Sequence, residues 1–484
     1  MENSGKKNNY IAALVTLASL FFMWGFITCL NDLLIPYLKE VFSLSHFQSN
    51  LVQFAFFTAY FTISWLYFIV SSCFGDPILK VGYKNTIVLG LFLSALACFF
   101  FFVEAGSPNP SFAGFLGALF LLGTGFTFLQ IAANPLVSIL GAPETSSSRL
   151  NLTQAFNSLG TTLAPVIGGY LIFTLFKPSE ESAGAASAVQ IPYLILASLL
   201  LLLSGVIFFS NVPNHVENTS GNVKGYGALK HPYLVFGMFG IFCYVGAEVT
   251  IGSNLISFMT ETQSIDKSIA TSYLAFYWGG SMIGRFVGAI SMSKMEKSIK
   301  HILMGVAGLA AFTLIFLITY KSSKGAIDLG NSYYFLIFLV LNYVAFVMAK
   351  SVPSRTLGLF AIVNIVLVLA MLSLDGNLSL WAVLSVGLFN SIMFSNVFTL
   401  AIEDLKEYTS QGSSLLVMMI LGGAVVPPLQ GLIADSYNAH IAFAIPLICY
   451  AYLAWYGFSG SKIGIKKVNF PVKTEKHPES IVLK

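Results

Sequence analysis

An all-α, polytopic membrane protein is predicted by three features of this 484-residue sequence. Hydrophobic residues make up 56% of it and charged residues only 10%, where a soluble globular chain carries about 45–50% and roughly 25%. Mean hydropathy is +0.79. The apolar residues come in runs of about 20, the length that crosses a bilayer core as a helix, separated by turns such as Ser107-Pro108-Asn109-Pro110-Ser111.

Taken in order, the runs are 10–36, 47–74, 82–103, 111–141, 150–176, 190–211, 232–260, 270–293, 301–320, 332–349, 354–373, 380–402, 411–434 and 440–460, about fourteen expected spans. The first follows Lys6 and Lys7, is longer than a signal-peptide core and lacks a small-residue cleavage site, so it is expected to stay as a span. The longest polar stretch, 212–231, reads as a cytoplasmic linker between an N-terminal unit, 1–211, and a C-terminal unit, 232–461. A basic tail follows at 462–484. With the N-terminus inside and sides alternating, twenty of the 25 Lys and Arg fall on the cytoplasmic side, as the positive-inside rule requires. Both termini are therefore expected in the cytoplasm. All five cysteines lie inside apolar runs and read as packing thiols without a disulfide.

The two units resemble each other. "RLNLTQAFNSLGTTLAPVIGGYLI" (149–172) answers to "SQGSSLLVMMILGGAVVPPLQGLIAD" (410–435), and "GFTFLQIAANP" (125–135) to "LFNSIMFSNVF" (388–398). Such duplication is the mark of transporters whose halves rock about a central site.

The polar residues inside the runs are the candidates for chemistry. Asp32, beside Asn31 in "LNDLLIP", puts a carboxylate where charge is costly. Two roles fit it: a cation-coupling group, titrating or holding Na+ with Asn31, or a cap where Pro36 ends the helix. Glu248, between Gly246 and Gly252, is a second carboxylate, suited to accept a sugar hydroxyl or to titrate. Amides offer donors and an acceptor without a charge to desolvate. Gln130, Asn134, Gln154, Asn157, Asn254, Asn390 and Asn396 are therefore substrate-contact candidates, or helix glue; Asn364 reads as glue. Trp278, next to Gly279 and Gly280, is the aromatic best placed to meet a pyranose ring, ahead of Trp24, Tyr60, Tyr273 and Tyr277.

"WGFITCLNDLLIP" (24–36), "LQIAANP" (129–135), "RLNLTQAFNSLGT" (149–161), "CYVGAE" (243–248) and "FNSIMF" (389–394) together resemble the fucose/galactose/glucose–cation symporter family of the major facilitator superfamily, in its glucose/galactose permease branch. The resemblance implies two six-helix bundles, a monosaccharide substrate and uptake coupled to H+ or Na+ across the cell inner membrane. It also implies that "FGDPILKVGYKN" (74–85), with Gly75, Asp76, Gly82 and Lys84, is the gating loop, partnered by Arg285 and Lys294. Two departures stand out. The family has twelve spans, so 301–349 reads as an inserted helix pair, expected to be a peripheral hairpin. And Gln130 stands where fucose-type members carry Glu, which removes one titrating group.

No phosphate-binding loop, metal-ligand spacing or Ser/His/Asp arrangement is found, so no cofactor is expected and an enzyme is excluded on this reading. The net charge of +4 gives no sign of nucleic-acid binding. A monomer in the lipid bilayer is expected. Alternatives that stay open are a uniporter, a symporter for another sugar such as fucose, and a non-sugar transporter of the same superfamily.

Overall fold

The computed structural model describes the backbone of residues 2–44, 46–171, 189–214, 224–322, 331–437 and 439–464. The middle of the expected linker and most of the basic tail lie outside the described residues, as do the side chains of Asn31 and Asp32. The helices are α1 Glu2–Val41, α2 His46–Phe74, the short α3 Pro77–Val81, α4 Tyr83–Ala105, α5 Phe112–Ile139, α6 Ser146–Tyr170 and α7 Gln190–Phe209. Then follow α8 Pro232–Glu261, α9 Lys267–Ser291, α10 Lys297–Ser322, α11 Tyr333–Met348, α12 Pro353–Ser373, α13 Gly376–Asn390 and α14 Met393–Ala401. The last four are α15 Thr409–Met418, α16 Gly422–Ser436, α17 Ala439–Ala442 and α18 Ile445–Phe458.

Among the described residues, eleven stretches are helical, long and apolar enough to cross a membrane. That is fewer than the fourteen expected, and the reason is polarity and length. α6 carries Asn151, Gln154 and Asn157, and α9 carries Ser281 and Arg285, which thin their apolar content. α11 has 16 residues, about 24 Å of helix against a hydrocarbon core of ~30 Å.

Packing pairs recur between the first seven helices and the later ones. α1 packs on α6 as α8 does on α16; α2 on α5 as α9 on α13; α4 on α7 as α12 on α18. The two sets meet where α6 lies along α9 and where α15 crosses α2 and α5. Interior contacts follow from residue size. Gly387 of α13 is pressed so closely on α9 that an added Cβ would run into the Tyr277 carbonyl oxygen, a gap only glycine leaves. Lipid-facing positions stay apolar, as at Leu202, Phe209, Ile302 and Met348.

Candidate functional site

A polar chain runs through the middle of the molecule, across both helix sets. It starts on α5 and α6, where Gln154 Nε2 donates to Asn134 Oδ1 over 3.5 Å. It crosses to α9 through Arg285, whose guanidinium donates to the Gln154 carbonyl at 3.4 Å, to Ser158 Oγ, to the Ser391 carbonyl at 3.0 Å and to the Tyr244 hydroxyl at 3.2 Å. Glu248 Oε1 stands 3.9 Å from Arg285 Nη2, with both side chains almost wholly enclosed. From there the Tyr277 hydroxyl donates to the Glu248 carbonyl at 2.8 Å. Asn390 then links three elements: it donates to the Tyr277 hydroxyl at 3.1 Å and accepts from Asn364 at 2.8 Å and Tyr450 at 2.9 Å.

Arg285 corrects the sequence reading. It was expected at the gating loop but lies within α9, six residues before that helix ends at Ser291, and is buried. Lys294, beyond the end of α9, pairs with exposed Glu144 at 3.2 Å. Glu248 is likewise not an isolated carboxylate. It shares its surroundings with a guanidinium, and a pair held out of water costs about 3–5 kcal/mol to break by removing one member.

The remaining candidates divide by place. Gln130 is buried and lies with Trp24 against the Tyr60 hydroxyl. Asn254 bonds Gln430 Oε1 at 2.6 Å on the α8–α16 face. Trp278 packs against Gly252 of α8 and edge-on to Tyr277. Asn157 donates to the Phe21 carbonyl at 3.0 Å and so ties α6 to α1. Asn396, expected at the substrate, instead sits at the closed end, accepting from Asn151 at 3.3 Å and donating to the Pro353 carbonyl at 3.2 Å. Asn31 and Asp32 fall outside the described side chains. Tyr244, Ser158, Tyr450 and Gln430 went unread in the sequence. A hydroxyl or amide in an apolar run is the only signal they give, and 21 Tyr share it.

Among the described residues, five atoms in or beside this polar chain are buried without a hydrogen-bond partner: Glu248 Oε1, Asn134 Nδ2, Asn364 Oδ1, Thr250 Oγ1 and Gln430 Nε2. Buried polar atoms are nearly always paired. Acceptors and donors left open together fit a ligand rich in hydroxyls, which both donate and accept.

At one end the two helix sets are sewn shut. Ser147 and Thr399 hydroxyls meet at 2.7 Å, Ser148 donates to the Ala289 carbonyl at 2.6 Å, Tyr83 and Ser410 hydroxyls meet at 3.2 Å, and Gln411 Nε2 donates to Ser71 Oγ at 3.3 Å. The expected gating loop lies here. Asp76 is buried and caps α3 by accepting from the Ile78 amide at 3.0 Å and from the Tyr67 hydroxyl. Burial holds its carboxyl above the usual range, against the pull of those two donors. Gly75 and Gly82 take φ of 87° and 93°, turns that favour glycine. Lys84 donates to the Ser210 carbonyl at 3.0 Å.

Helices laid out as two matched sets around a central polar chain, closed at one end, define a membrane transporter. Residues 13–330 match the Major Facilitator Superfamily. The chain is 41% identical to a "Glucose/galactose transporter" of Brucella abortus, over 95% of this chain and 97% of that one. It is 29% identical to an "L-fucose-proton symporter" of Escherichia coli, over 93% of each. The solved structure of a Major Facilitator Superfamily transporter, FucP, in the outward conformation superposes with a TM-score of 0.70 at 28% identity, covering 93% of this chain and 98% of that one. The chain belongs to the Major Facilitator Superfamily, in the family of the fucose and glucose/galactose symporters; it is a multi-pass membrane transporter and not an enzyme.

Proposed function

We propose that the chain carries a hexose, glucose or galactose, into the cell together with a cation, by alternating access. The observation that carries this reading is the enclosed polar chain from Asn134 through Arg285 and Glu248 to Asn390, with open hydrogen-bonding atoms along it. The relative named for glucose and galactose supports the substrate. The relative named as a proton symporter supports H+ as the coupling ion, with Na+ the alternative. Asp32 is the coupling group, since Gln130 cannot titrate and Glu248 is engaged by Arg285. Residues 1–211 and 232–461 are the moving bodies, and 212–231 joins them in the cytoplasm. The sewn end bearing Asp76 is the cytoplasmic face, in the inner membrane. The protein works as a monomer.

Uptake of labelled D-glucose and D-galactose into proteoliposomes tests this. Accumulation above the outside concentration is expected under an inward proton gradient, and its collapse with an uncoupler. Accumulation driven by Na+ alone would move the coupling to that ion, and entry of neither sugar under any gradient would end the hexose reading. Asp32→Asn is expected to abolish accumulation while sparing exchange; concentrative uptake at the wild-type level would remove Asp32 from the mechanism.

A further inference from the structure

The inserted pair α10–α11 is the part of the chain that transport leaves without a task. α11 buries Phe335, Leu339, Asn342 and Phe346, which share one helical face, against α9, α12 and α13. Asn342 is the polar exception in that stripe and is 0% exposed. An amide enclosed in a membrane-embedded helix is costly unless it is bonded. Asn342 Nδ2 donates to the backbone carbonyl of Leu388 at 3.1 Å.

That carbonyl lies where a long helix breaks. α13 stops at Asn390 and α14 starts at Met393, so the last carbonyls of α13 lose the amide donors four residues on. Non-helical backbone at membrane depth persists only where protein groups re-satisfy it. Ser391 Oγ supplies one donor to the Leu388 carbonyl at 2.7 Å, and Asn342, from the inserted hairpin, supplies the other. The break holds the central chain: Asn390 joins Tyr277, Asn364 and Tyr450, and the Ser391 carbonyl receives Arg285.

We infer that Asn342 is a positioning residue for the sugar site, holding the α13–α14 break so that Asn390 and the Ser391 carbonyl stay aligned with Tyr277 and Arg285. The hairpin is therefore a brace for the site and more than a peripheral addition. This rests on the hexose reading above.

The test measures equilibrium binding of D-glucose and D-galactose to the purified full chain, alongside thermal unfolding. Asn342→Leu keeps the volume and removes the donor. It is expected to weaken binding about 5–10-fold, the effect of one net hydrogen bond. Asn342→Gln, which keeps a donor, is expected to recover most of that loss. Phe335→Leu thins the hairpin's packing on Phe276, Phe312 and Trp381, the last of these nine residues before Asn390 along α13, and is expected to lower the unfolding temperature while leaving sugar affinity at the wild-type value. Should Asn342→Leu fail to fold, Ser391→Ala removes the other donor on the same carbonyl and is expected to weaken binding about threefold. Wild-type affinity in Asn342→Leu, or in Ser391→Ala where that variant stands in, overturns the inference, as does equal weakening in Phe335→Leu. No hexose binding by the wild-type chain overturns the hexose reading and this inference with it.

Discussion

Arg285 is the residue on which the interior turns. One guanidinium reaches α6 through Gln154 and Ser158, α8 through Tyr244 and Glu248, and the α13–α14 break through Ser391. Its planar fork can serve these directions at once, which a lysine ammonium on a flexible stem cannot. Arg285→Lys keeps the charge and is expected to cut hexose uptake at least about tenfold, the equivalent of about 1.4 kcal/mol in one step. Uptake at the wild-type rate would show that the charge alone matters. The sequence reading grouped Arg285 with the gating loop, while the structure buries it within α9. A basic residue after "GGSMIG" looks like part of a cytoplasmic loop pattern, and only the register of α9 shows that it is buried nine residues before Lys294. Glu248 was legible as an intramembrane carboxylate because charge is so rare in these runs. Its partner was not, because the pairing crosses from α8 to α9 and carries no sequence spacing.

At the scale of elements, helices were readable and their interruptions were not. Runs of apolar residues marked the spans, and the positions of turns followed from Pro, Gly and charge. The break between α13 and α14 contains neither Pro nor Gly at 390–393, so nothing local announces it; tertiary donors from α9 and α11 sustain it. The turn at Asp76 was legible, and its physics yields a pH effect. The folded chain keeps the Asp76 proton to higher pH than the unfolded chain does, because burial disfavours the carboxylate. Across that window the folded state holds the extra proton, so stability falls as pH rises. As pH rises above the ordinary carboxylate range, the stability of the wild type is expected to fall relative to that of Asp76→Asn, by at most about 1.4 kcal/mol per pH unit. Parallel pH profiles for the two proteins would contradict this account of the turn.

Across the whole molecule, the sequence repeat between 149–172 and 410–435 has a physical counterpart in α6 and the α15–α16 pair, which hold corresponding places against α1 and α8. The paired packing makes each set of helices internally tight. At the sewn end the contacts between the sets include hydroxyl and amide bonds that can part and re-form, while further along α6 and α9 the Phe156 and Phe286 rings meet edge to face. Hydrogen bonds of this kind at a closing end suit two bodies that rock, since they can re-form with water or with each other at each turnover. How tightly the sewn end closes could not be read from composition, because Ser and Thr in a helix end look alike whether they face water or another helix.

The claim that these bodies must separate at the sewn end is tested most directly at Ser147 and Thr399, whose hydroxyls meet at 2.7 Å across the two sets. Cysteines at both positions, oxidised to a disulfide and checked by mass spectrometry, should stop labelled hexose uptake into proteoliposomes while leaving sugar binding intact, and reductant should restore it. Uptake by the fully cross-linked protein at the rate of the reduced protein would contradict the rocking account.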